Sequence, residues 1–194
     1  MSLNVLMLGL QGAGKGTQGK RVAAEYGIAY IGTGDMLRTA MAQGTELGRR
    51  VQPIYDAGEL VPDELMIGLI QDRIGEDDAQ DGFVVDGFPR TIPQADALDA
   101  MLAGIDRSLS IVFELQIPDE LAVERLLRRA REEGRADDTP QAIARRIEHY
   151  HSETEPLVSH YRVRGALVGI HAARTINEVF AEIQEALEQL AVRE

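Results

Sequence analysis

Apolar residues along the chain fall into short unbroken runs separated by longer stretches with helical spacing. Runs of strand length occur at Leu3–Leu8, at 28–31, at Gly82–Asp86, at 108–117, where Pro118 closes the run, and at 166–170. Unbroken apolar runs of this length suit strands buried on both faces. Between them, residues 17–26, 35–43, 46–57, 62–74, 92–103, 119–133, 140–160 and 176–190 read as helices. Thr33 or Asp35 is expected to cap the second helix, and Pro53 to break or bend the third. Pro62 suits the first helical position of the fourth. Strands alternating with helices of this length predict an α/β fold with a parallel five-stranded sheet flanked by helices, because parallel neighbours need crossover connections. The sequence holds no internal repeat, linker or low-complexity tract.

The first apolar run leads straight into Gly9-Leu10-Gln11-Gly12-Ala13-Gly14-Lys15-Gly16-Thr17. Four glycines allow a tight turn with several N–H groups pointing inward, and the following helix adds its positive end. Lys15 supplies a mobile charge able to reach the β and γ phosphates of a nucleotide. The strict phosphate-loop pattern asks for Ser or Thr directly after the lysine; here Gly16 intervenes and Thr17 follows. A glycine-rich turn with an incidental lysine is the bland alternative. A dinucleotide fingerprint fits less well, since Gly9, Gly12 and Gly14 break its order and its nest has no use for a lysine.

Asp86-Gly87-Phe88-Pro89-Arg90 follows the third strand. A carboxylate at a strand end can hold Mg²⁺ through water, and Arg90 offers a bidentate fork to phosphate. A surface turn with a helix-capping Asp would explain Asp86 but not Arg90. Farther along, Arg125, Arg128, Arg129, Arg131, Arg135, Arg145 and Arg146 crowd together. Arg125 and Arg129 share a helix face, which leaves open whether they close over phosphates or join a solvated face balanced by Glu120, Glu124, Glu132 and Glu133. Arg128 and Arg131 are assigned to the solvated face. The four histidines show no metal-ligand spacing, and the five tyrosines are too dispersed for a stacking platform.

Composition narrows the function classes. The 194-residue chain carries a formal net charge of -12, which disfavours a nucleic-acid partner without forbidding a local anion pocket. Lys15 and Lys20 are the only lysines, and there is no cysteine, so disulfides, thiolate chemistry and Cys-ligated zinc are excluded. No stretch reads as a signal peptide or approaches a membrane span, so a cytoplasmic location without a membrane partner is expected.

With these motifs in place, the sequence resembles an adenylate kinase of the short-lid kind over nearly its whole length. In that family the loop lysine is followed by Gly-Thr, as Lys15-Gly16-Thr17 is; Gln11 departs from it, since proline is usual there. The resemblance implies a P-loop NTPase-type fold with a core of 1–31, 62–125 and 142–194, a helical AMP-binding insert at 32–61 and a short lid at 126–141. It implies ATP contacts from Gly12, Ala13, Gly14, Lys15, Gly16, Thr17, Arg125 and Arg129. The match at 169–172 is weaker and implies backbone contacts to the ATP base from His171 and Ala172. On the AMP side it implies Thr33, Gly34 and Arg38, the backbone of Leu60 and Val61, Gly87, Arg90 and Gln94, with Arg135 and Arg146 facing phosphate. Thr33 and Gln94 agree with AMP and not with the pyrimidine monophosphates chosen by a related family. Asp86 is implied in organising Mg²⁺ through water, and the short lid implies no zinc.

The activity so implied is reversible, Mg-dependent transfer of the terminal phosphoryl of ATP to AMP, giving two ADP, by a monomer. Lys15, Arg90, Arg125, Arg129, Arg135 and Arg146 are the expected catalytic set, and 33–60 and about 130–139 are expected to move on substrate binding. A kinase for another small acceptor and a slow ATP-hydrolysing switch protein are the competing readings. Arg38, Arg90 and Gln94, an intact acceptor-side set, argue against both.

Overall fold

A computed structural model describes residues 2–135 and 137–192. The outer bounds expected for the core, 1 and 194, and position 136 of the expected lid lie outside the described residues. The apolar runs form five strands, β1 (Leu3–Leu8), β2 (Ala29–Gly32), β3 (Gly82–Asp86), β4 (Ile111–Gln116) and β5 (Leu167–His171). All pair in parallel in the order β2-β3-β1-β4-β5. The most apolar strand, β1, is central. After it the chain first winds to the β2 edge and later to the β4 side, so its C-terminal end lies where the winding reverses and the sheet edge opens a crevice.

Side chains alternate across the sheet with period two and feed two cores. Leu6, Leu8, Ile31, Phe83, Val85 and Val112 face one way. They pack on Leu37 of α2 (Thr33–Ala42), Val51 of α3 (Glu46–Asp56), Ile70 of α4 (Asp63–Ile74) and Leu98 of α5 (Ile92–Ala103). Val5, Met7, Val84, Phe113 and Ile170 face the other way, against Val22 of α1 (Lys15–Tyr26) and Phe180 and Ile183 near the C-terminal end of the chain. A small third cluster, Leu10, Ala122 and Tyr150, seals the glycine loop against α6 (Asp119–Glu133).

Several boundaries differ from expectation for local reasons. Neither Thr33 nor Asp35 caps α2; Gly32 takes that position, while the Thr33 hydroxyl donates to the Asp86 carbonyl at 3.3 Å and Asp35 pairs with Lys20 and Arg38. Pro53 neither ends nor splits α3, which runs on to Asp56. Pro62 caps α4 from outside instead of opening it. The single helix expected over 140–160 is two, α7 (Pro140–His149) and α8 (Pro156–Val163), joined by a π-helical turn at Tyr150–Thr154. Pro156 cannot donate a hydrogen bond to residue 152, and its ring crowds that carbonyl. The chain absorbs this by widening, so that the Glu155 amide reaches the Tyr150 carbonyl at 2.7 Å. The last helix, α9 (Ile176–Ala191), starts from a full capping box of Thr175 and Glu178.

Candidate active site

The glycine loop turns from β1 into α1 through two close approaches. Gly9 (φ 131°) and Gly12 (φ 88°) occupy conformations that L side chains rarely adopt. A β-carbon on Gly9 would stand 2.5 Å from the Leu115 carbonyl oxygen, and one on Gly12 would stand 2.8 Å from that of Ala122. The loop is thus pressed against β4 and α6, and glycine is required at both positions. No side chain caps α1, so the amides of Lys15, Gly16 and Thr17 open the helix without intrahelical acceptors. Lys15 folds back over the loop and donates from Nζ to the carbonyls of Gly9 (2.6 Å) and Leu10 (2.8 Å). Burial lowers its pKa to about 8; Asp86 opposes that shift, while Arg90 and Arg129 add to it.

A cleft of about 650 Å³ runs from this loop along the C-terminal ends of the strands. It is lined by every expected site residue except His171, which is exposed at the end of β5. Its neighbour Ala172 lines the cleft, and the Ala172 carbonyl accepts from Arg125 at 3.1 Å. Arg128, assigned to the solvated face, stands exposed at the cleft rim, and Arg131 is turned away, donating to the Leu127 carbonyl.

Two clusters of cationic side chains face the cleft. Arg38 is held by Asp35 and by the Tyr55 hydroxyl at 2.5 Å. Burial pushes the Asp35 pKa upward, but Lys20 and Arg38 together bring it below its ordinary value. Arg90 donates from Nε to the Gly87 carbonyl at 2.9 Å, and its amide donates to Oε1 of buried Gln94 at 2.7 Å. Burial lowers the Arg90 pKa and Arg146 adds to this, against Tyr55 and Asp86. The second cluster is gathered by two buried aspartates. Asp138 accepts from Arg129 (2.8 and 2.9 Å) and from Arg146 (2.7 Å), and Asp137 accepts from Arg146 at 3.0 Å. Buried carboxylates in this number are tolerable only because each meets a guanidinium.

Near Arg90, Gly87 (φ 86°) leaves room for Thr33, whose Oγ1 lies 2.4 Å from where a β-carbon would stand. Gln94 donates from Nε2 to Asp63 at 2.7 Å, and Thr91 donates to the same carboxylate at 3.1 Å. The amide is therefore oriented from both ends before any ligand arrives.

This geometry coincides with a family match. The adenylate kinase model matches residues 7–166. An adenylate kinase of Caulobacter vibrioides is 43% identical over 189 residues, covering 97% of this chain and 99% of its own. One from Maricaulis maris is 46% identical over 187 residues (96% and 100%), and one from Stenotrophomonas maltophilia 42% over 185 (95% and 99%). The chain belongs to the adenylate kinase family. It is an ATP:AMP phosphotransferase with the five-stranded parallel P-loop architecture of that family.

Adenylate kinases use ATP with Mg²⁺, and the residues present fit such an ion. Among the described residues no cluster of three or more His, Cys, Asp or Glu could cage a metal. Asp86 nevertheless lies beside the start of α1, its Oδ2 3.4 Å from a β-carbon position on Gly16, and no cation pairs with it among the described residues. A lone carboxylate suits an ion that keeps most of its water and leans on substrate phosphates.

Sequence reasoning passed over five residues that hold the side chains of this cleft in place. Tyr30 donates from its hydroxyl to Asp86 Oδ2 at 3.1 Å, with its ring against Gly16, Gly19 and Gly32. Tyr55, Asp63 and the Asp137–Asp138 pair hold the amide and guanidinium groups already described. Tyr30, Tyr55 and Asp63 act on partners 56, 17 and 31 residues away, beyond the reach of local pattern; only the presence of a charged partner for the buried arginines could have been anticipated.

Proposed function

We propose a division of the cleft into a donor half on the glycine loop and an acceptor half beneath α2, with the arginines of 125–146 between them. The observation that carries it is the convergence of Lys15, Arg38, Arg90, Arg129 and Arg146 on one cleft, more cationic groups than a single triphosphate needs. ATP lies with its phosphates over the amides of residues 12–17, and Ala172 borders its base. Arg38 and Arg90 take the AMP phosphate, Thr33 and Gln94 face its adenine, and the backbone of Leu60 and Val61 closes the pocket. Asp86 would hold Mg²⁺ through water, and the ion would supply charge neutralisation to the nucleotide phosphates.

An oxygen of the AMP phosphate attacks the γ phosphorus in line; the bond from that phosphorus to the β–γ bridging oxygen breaks, and two ADP result. No general base is required, because the AMP phosphate is ionised near neutral pH. Lys15, Arg125, Arg129, Arg135 and Arg146 supply positioning and charge stabilisation, which is nearly all that phosphoryl transfer asks of a protein. On this reading 32–61 is the acceptor insert and 126–141 the lid, both closing to exclude water as a rival acceptor. A monomer in the cytoplasm, with ATP, AMP and ADP as its partners, completes the reading.

Two substitutions test the division. Arg38→Ala is expected to raise KM for AMP at least ten-fold with little change in KM for ATP, since a charge-assisted hydrogen bond is worth roughly 1.5–3 kcal/mol. Arg125→Ala is expected to act in the opposite sense. Equal changes in both constants in both variants would remove the basis for two halves.

A further inference from the structure

Tyr55, on α3, lines the cleft beside Arg38, and the reading so far uses it only to hold guanidinium groups. Its hydroxyl accepts from Arg38 Nη1 at 2.5 Å. Its backbone carbonyl accepts from Arg146 Nη2 at 3.2 Å, and the Arg146 guanidinium lies 5.3 Å from its ring centroid. The Tyr55 oxygen also lies 3.6 Å from a β-carbon position on Gly34. One residue therefore touches both Arg38, assigned to the AMP phosphate, and Arg146, assigned to the region between the two halves.

A tyrosine hydroxyl has one proton to give and lone pairs to receive. Here a lone pair is filled by Arg38, and among the described residues nothing accepts the proton. The phenol lines the open cleft and is surrounded by cations, so the acceptor its proton lacks is an anionic oxygen.

We propose that Tyr55 is a further substrate-binding residue, whose hydroxyl donates to a phosphate oxygen of the nucleoside monophosphate while fixing the Arg38 guanidinium beside it. The proposal rests on the acceptor half lying where Arg38 and Arg90 place it. It makes Tyr55 selective for the phosphate and indifferent to the base: the hydroxyl recognises the charged end of AMP, Thr33 and Gln94 the adenine.

Tyr55→Phe keeps the ring under Arg146 and removes only the hydroxyl. Binding of AMP and of adenosine, which lacks the phosphate, is measured by calorimetry on wild type and variant, alongside KM for MgATP. A weakening of roughly ten-fold is expected for AMP. Adenosine affinity and KM for MgATP are expected to stay within about two-fold of wild type, within the spread of context effects. Unchanged AMP affinity, or an equal loss for AMP and adenosine, would overturn the proposal. Tyr55→Met, which fills the site without a hydroxyl, is expected to reproduce the phosphate-specific loss and guards against a folding defect peculiar to the first variant. Wild type that turned over without any dependence on AMP would instead overturn the acceptor half itself, an outcome separate from either result above.

Discussion

At the scale of single residues, chemistry is decided by what surrounds each charged group. Lys15 is the clearest case: burial brings its pKa down to about 8, so the free enzyme loses this charge within an accessible range. Below pH 8 the ammonium meets the ATP phosphates ready charged. Above it, binding must draw a proton from solvent, and affinity falls as pH rises. The expected outcome is that kcat/KM for MgATP declines above about pH 8, while kcat at saturating ATP holds to higher pH because bound phosphate restores the charge. A kcat/KM profile flat to pH 9.5 would contradict this account of Lys15. That Lys15, Arg90 and Asp86 line one cleft was legible, because their types and spacing point to phosphate chemistry. Tyr55 and Asp138 were not, because their roles exist only in contact with arginines that other elements deliver.

Elements translate those residues into position. The insert meets α7 at Gly58 (φ 77°), where a β-carbon would stand 2.6 Å from the Ala142 carbonyl oxygen. Around that contact Glu59 pairs with Arg145 and, at 2.8 Å, with His149. Gly58→Ala must adopt a left-handed conformation, at about 1–2 kcal/mol, and also push α7 away. Lower thermal stability is expected together with a several-fold rise in KM for AMP, because Leu60 and Val61 follow two residues later; an unaltered KM for AMP would show that the approach at Gly58 does not set the pocket. The order of strands and helices was readable from apolar spacing, down to the bounds of α6. The break at Tyr150–Thr154 was not, since 140–160 is uniformly helical in composition and Pro156 can sit at the start of a helix as easily as inside one.

On the scale of the whole molecule, an acidic chain concentrates its cationic side chains on one cleft at the reversal point of its sheet. Asp138 keeps Arg129 and Arg146 together there, so their guanidinium groups are oriented in advance for the phosphate role proposed above. The parallel sheet followed from the alternation of runs and the ligand site from the glycine loop, whereas closeness of the insert to α7 depends on contacts between segments some 90 residues apart, such as Glu59 with His149. The central claim is that this cleft passes a phosphoryl group specifically from ATP to AMP. The direct measurement is a chromatographic time course of ATP·Mg²⁺ with AMP, CMP, UMP, GMP or no acceptor. The account predicts rapid ADP formation with AMP, settling at a mixture of ATP, ADP and AMP that is also reached from ADP alone. ADP forming at one slow rate in every tube would contradict it.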